Sequence, residues 1–171
     1  MTKIRDIYDD LSATLLMSLH QEPRDQILSG QKIIEYRKKF YDDAFQAFVH
    51  TTGKDGGIEL FIQFDKPIVT NADKLAKIGE LLQNDDYSEI YEYYMPKNIG
   101  YIIPIKSVTE ISKISLEELR DRFPGYVVPQ AYLFLDSKPE LLDFLLNQEC
   151  GKTKNIDWNQ RYKEIEKILS N

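Results

Sequence analysis

The sequence predicts an α+β fold: a small, mostly antiparallel β-barrel with peripheral helices. Three observations carry that prediction. Five or six short β-prone runs recur along the chain, helical patterns are inserted between them, and residues 44–70 read as a hairpin closed by "GKDGG". Periodicity supplies the strands and helices; it does not deliver barrel closure. The length of 171 residues suits one domain, and 42% hydrophobic with 29% charged residues is a globular composition. No apolar run approaches the roughly 20 residues that a membrane helix needs. The start, "MTKIRDIYDD", is charged and lacks an apolar signal core, and the single Cys150 excludes an internal disulfide. A cytoplasmic protein is expected.

The elements follow in order. Residues 1–14 read as a polar leader. "LLMSLHQ" (15–21) is a strand with Leu15, Met17 and Leu19 on one face and Ser18 and His20 on the other. "EPRDQILSG" (22–30) is a short helix, with Pro23 near its start and Gly30 as its cap. Residues 32–40 and 44–52 are strand-like, and 58–70 returns as a strand after the turn. Asn71 then caps an acidic helical insertion over 71–96, with Leu75, Ile78 and Leu82 at helical spacing. Residues 98–111 form a strand, and Ser115 and Glu118 open a helix with a capping box. A strand at 130–136 and a helix at 138–148 close the main domain, 15–148. Residues 149–171 are expected to supply a polar link and a last helix packed on that domain. Its stripe is Trp158, Tyr162, Ile165 and Leu169.

The net charge of −6 argues against a protein that coats nucleic acid without specificity. The charge is uneven. Residues 15–54 carry six Lys/Arg and five Asp/Glu, whereas residues 55–96 carry three and nine. Within the first of these segments lies "GQKIIEYR" (30–37), three charges of mixed sign inside an apolar run. In a regular strand Ile33, Glu35 and Arg37 share one face and Lys32, Ile34 and Tyr36 the other. The plain reading is a half-buried strand with a surface ion pair worth under about 1 kcal/mol. A turn or bulge after Gly30 breaks that parity and brings Lys32 round to Glu35 and Arg37.

The pattern G-x-K-x-x-E-x-R in "ILSGQKIIEYRKKF" resembles the signature of the ASCH domain, a branch of the PUA-like barrels. "LMSLHQEPRDQILSG" and "IGYIIPIKSVTEISKISLEELRDRFPGYVVPQAYLFL" resemble the blocks that flank it, so the likeness runs over about 15–136, with 71–96 as an enlarged insertion. The resemblance implies a PUA-like barrel with a cleft lined by Lys32, Glu35 and Arg37. It also implies binding of RNA or a nucleotide-like ligand, in a regulatory role in translation or transcription. Some relatives hydrolyse an acylated cytidine or cleave RNA. The amidohydrolase branch carries Thr where this chain has Glu35, so that nucleophile is missing.

The residue chemistry fits such a ligand. Arg37 can fork onto phosphate and Lys32 supplies a point charge. Glu35 can accept from an exocyclic amine. Tyr36, Tyr101 and Tyr132 offer faces for stacking, Gln130 a base-edge amide, and His20 a ring beside them. Were the protein an enzyme, Lys32 and Glu35 would be its acid and base. No metal site is expected, because neither His20 nor His50 has a second ligand at metal-like spacing, and no cofactor is expected. The acidic segment 71–96 is a candidate surface for a protein partner.

Overall fold

The computed structural model describes residues 1–171. The strands are β1 (Ala13–Leu19), β2 (Ile34–Arg37), β3 (Phe45–Thr51), β4 (Gly57–Phe64), β5 (Ile68–Thr70), β6 (Gly100–Ser115), β7 (Tyr132–Phe134) and β8 (Thr153–Asn155). The helices are α1 (Ile4–Ile7), α2 (Gln21–Ser29), α3 (Ala72–Gln83), α4 (Tyr87–Tyr94), α5 (Leu116–Arg122), α6 (Pro139–Leu146) and α7 (Asn159–Leu169). The strands join in the order β2-β6-β4-β3-β1-β7, with β5 and β8 also on β6. All pairs are antiparallel except β1 with β3. The predicted α+β fold with a barrel-like, mostly antiparallel sheet is therefore what forms.

The 16-residue β6 is the spine. Its first residues pair with both β2 and β5, and its remainder with β4. Register shifts between Ile58 and Leu60 and between Gln63 and Phe64 bend the β4–β6 ladder. The sheet curls into a half-barrel whose inside holds Leu15, Met17, Val49, Leu60, Ile62 and Ile103. Its outer side at β1, β3 and β4 packs Leu16, Phe48 and Phe61 against Leu145 of α6 and Ile4 of α1. A third cluster joins Ile34 and Ile102 to Leu75 and Ile78 of α3, Ile90 of α4, and Trp158 and Ile165. Every residue of β3 is buried, because both its edges and both its faces are covered. That is why "FQAFVHT" shows no clean alternation.

Local chemistry places most boundaries. Asn71 accepts from Lys74 N at 3.0 Å and Ser115 from Glu118 N at 3.1 Å, so both predicted caps form. Gly30 ends α2 at φ 84°, a conformation that penalises any side chain. Three expectations are revised. The strand expected at 32–40 shrinks to four residues, since Lys32 still bonds back to Gln26 O of α2. The run 58–70 splits into β4 and β5 around Pro67, which has no N–H for a ladder. The polar link hides β8, whose three residues are exposed and leave no apolar period to read. The last helix docks through the Trp158 indole, which donates to Ile105 O at 2.7 Å.

His50 lies on β3, 1% exposed, and shares a 2.7 Å hydrogen bond with the Tyr126 hydroxyl. Burial pushes its pKa down to about 4, and the Arg120 charge adds to that. Between the ordinary 6.5 and about 4, the unfolded chain takes a proton that folded His50 refuses. Stability therefore falls as pH drops through that window. Urea denaturation at several pH values is expected to show this slope, and His50→Gln to flatten it. An unchanged slope in the variant would assign the effect to other groups.

Candidate functional site

The site is built on β2, an end strand of the sheet. One side chain covers the start of this strand: Gln83, at the end of α3, accepts from Ile33 N at 2.6 Å and Ile34 N at 3.0 Å. The Gln83 amide donates in turn to Asp85 at 2.7 Å, and Asp85 also accepts from the Tyr36 hydroxyl. Burial and that carboxylate push the Tyr36 phenol far above its ordinary value. Tyr36 comes so close to α3 that a Cβ on Gly79 would stand 2.2 Å from its hydroxyl.

A cavity of about 540 Å³ opens between the two ends of the curled sheet. β2 supplies Glu35, Tyr36 and Arg37. Facing them are Ser18 and His20 at the end of β1, Thr52 after β3, Pro129 and Gln130 before β7, and Tyr93 of α4. Glu35 is 8% exposed, and its Oε2 is buried without a hydrogen bond. Its Oε1 lies 3.9 Å from Arg37 Nε, an ion pair but too long for a hydrogen bond. Arg37 is held elsewhere: it donates to Ser18 O at 3.3 Å and its guanidinium lies over Phe40 at 5.2 Å. Ser18 Oγ donates to Pro129 O at 2.8 Å, tying the loop before β7 to β1. His20 Nδ1 shares a 3.1 Å bond with Thr52 Oγ1. Burial raises the Tyr93 pKa; Arg37 pulls it down and Glu35 pushes it up, so Tyr93 stays a neutral hydroxyl.

Lys32 lies next door. It lines an adjoining cavity of about 400 Å³ with Gln26, Gln83, Asp85, Asp86 and Glu89, and Tyr36 and Tyr93 wall both spaces. The parity of "KIIEYR" does break, since Ile33 and Ile34 enter the same cluster. The break does not carry Lys32 to Glu35. Its ammonium forms no ion pair and sits over the Tyr36 ring at 5.0 Å. The expected convergence of three charges is thus corrected to two neighbouring cavities with a common tyrosine wall.

Of the other sequence candidates, His20, Tyr36 and Gln130 line the larger cavity. Tyr101 does not: it packs against the barrel interior, and its carbonyl accepts from Tyr94. Tyr132 packs on Phe40 at 4.5 Å, outside both cavities. Sequence reasoning gave no site role to Tyr93, Ser18 or Thr52. Tyr93 had no local signal, because one of several tyrosines in "IYEYY" reads as helix packing.

Three crystal structures from Zymomonas mobilis share this architecture. The one described as ASCH superposes with a TM-score of 0.65 at 16% identity, covering 80% of this chain and 97% of the other. A serine-to-alanine variant of the same protein gives 0.65 at 17%, over 78% and 96%. A tyrosine-to-phenylalanine variant gives 0.61 at 14%, over 77% and 97%. This chain has the ASCH fold. At that identity the likeness carries the fold and not the chemistry. No protein-family model and no curated protein matches the chain. No helix of this ASCH fold is long and apolar enough to cross a membrane.

The contact of Tyr36 with Gly79 is directly testable. Alanine outranks glycine in a helix by about 1 kcal/mol. Gly79→Ala is nevertheless expected to cost about 1–3 kcal/mol of stability in thermal denaturation, because Tyr36 and α4 must move. A raised melting temperature would contradict the packing of Tyr36 on α3.

Proposed function

We propose that this ASCH-fold protein binds a nucleoside- or nucleotide-like ligand, with its base in the cavity beside Glu35 and Arg37. The observation that carries this reading is the Glu35 carboxylate, buried yet without a hydrogen bond. Burying an unpaired acceptor costs a few kcal/mol, so such groups are kept where a ligand supplies the donor. An exocyclic amine or ring N–H is that donor, and Arg37 can turn from Ser18 O to a base carbonyl. The Tyr36 and Tyr93 rings supply apolar walls. The volume of about 540 Å³ suits a small molecule.

The acidic insertion supports a small ligand over a long one. Its Tyr93 forms part of the cavity wall, and its Asp85, Asp86 and Glu89 border the neighbouring space. A long polyanion would have to lie along these carboxylates. RNA enters this reading as a single splayed base or an end.

Hydrolysis is the second reading. It is favoured by His20 and Glu35, both able to move protons, on one cavity. Lys32 is a poor partner for Glu35 in that chemistry, since it lines the other space.

Calorimetric titration with the four ribonucleosides is expected to give saturable binding by at least one. Glu35→Gln should weaken that binding at least tenfold, as loss of a charged hydrogen bond does. The same variant should leave the melting temperature equal or higher, because it removes a buried charge that makes only a long ion pair and no hydrogen bond. Lower stability in Glu35→Gln would make Glu35 a structural residue and defeat the proposal. Incubation with RNA and with N-acylated nucleosides is expected to leave both intact. Turnover lost in Glu35→Gln would move the account to the hydrolase.

A further inference from the structure

Lys32 stands in a cavity with polar groups of both signs, and most of those groups are already engaged. Asp85 accepts from Tyr36 and Gln83. Both ends of the Gln83 amide are used, one on β2 and one on Asp85. Asp86 caps α4 by accepting from Ser88 N at 2.8 Å. Three side chains there have no hydrogen-bond partner: the Gln26 amide, Lys32 and Glu89. Lys32 is 8% exposed, and its ammonium contributes three donors that meet no acceptor. Glu89, in the first turn of α4, has a carboxylate with no ion pair. The Lys32 stem is buried, and its ammonium reaches the cavity, where solvent or a ligand supplies the acceptors.

We infer that this second cavity is the sugar pocket of the same ligand, so that the protein selects a ribonucleoside over a 2′-deoxynucleoside and over a 5′-phosphorylated nucleotide. The inference rests on the proposed binding of a base beside Glu35. A group that serves both open charges must accept from Lys32 and donate to Glu89, and the Gln26 amide can meet either. One hydroxyl can do both only if it lies between the two groups, whereas a vicinal diol gives each its own oxygen. Phosphate accepts well but has nothing to donate to Glu89 at neutral pH. It would also enter a space bordered by three carboxylates against one ammonium. A free base lacks the second part, and a 2′-deoxyribose loses one of the two partners. Tyr36 and Tyr93 line both cavities, so a molecule with its base in one can place its sugar in the other.

Calorimetric titration of wild type with the four ribonucleosides, their 2′-deoxy counterparts and their 5′-monophosphates tests this. The ribonucleoside that binds should do so at least tenfold more tightly than its deoxy form, and more tightly than its monophosphate. In Lys32→Met, which keeps an apolar stem over Tyr36, and in Glu89→Gln, at an exposed position, the ribo-to-deoxy ratio should fall toward one. Equal ribo and deoxy binding, or tighter binding of the monophosphate, overturns the sugar pocket. If that binding is still lost in Glu35→Gln, the base reading survives. Absence of binding by every nucleoside overturns the base reading and this inference with it.

Discussion

One side-chain amide holds the site together. β2 is an end strand, and the N–H groups of Ile33 and Ile34 would face water or another chain. Gln83 accepts both and donates one N–H to Asp85, which also accepts from the Tyr36 hydroxyl. With those two groups met, α3 and α4 pack on this strand, and Lys32 and Glu35 lie under that cover. Without it, "KIIEYR" would be the half-solvated strand that its alternation describes. The acidity of 71–96 also has a structural side. Asp85 anchors, Asp86 caps α4, and Asp73 accepts from Tyr87 and pairs with Lys77. These carboxylates are partly consumed within the fold, which leaves less of the segment's charge for a partner surface.

The second constraint is electrostatic. Arg37 is the natural partner of Glu35, but Ser18 O and Phe40 hold it back, so the pair stays at 3.9 Å. The carboxylate is desolvated without full compensation. A protein selected for stability alone would shorten that contact or replace Glu35 with an apolar residue. That costly, open acceptor at a cavity wall is what the proposed ligand would satisfy. Lys32 brings a charge of opposite sign, with no ion pair, to the neighbouring cavity. The two cavities share the Tyr36 and Tyr93 wall, which is why the proposed ligand has two polar parts.

Much of the fold was legible in the sequence because local chemistry carried it. Gly30, Asn71 and Ser115 stop or start helices for reasons internal to a few residues. The apolar runs of β1, β3 and β4 announce burial, and the ordered G-x-K-x-x-E-x-R match carried the fold class. The grouping of residues around the candidate site was legible in part. Glu35, Arg37, His20, Tyr36 and Gln130 do meet, although only the tertiary fold brings 20, 35 and 130 together. What failed depended on long-range packing. Lys32 was assigned by the parity of one strand, yet its neighbours are fixed by α2 and α4. Tyr93 reaches the cavity only because the insertion docks on β2. Exposed β8 had no apolar pattern to reveal it.

The most direct test is a crystal structure of the protein with a bound ribonucleoside. The account predicts a ligand N–H within hydrogen-bond distance of the Glu35 carboxylate and a base against Tyr93. A nucleoside seated elsewhere, such as the apolar cavity of about 410 Å³ lined by Leu16, Tyr126 and Leu133, with Glu35 still unpaired, would contradict it.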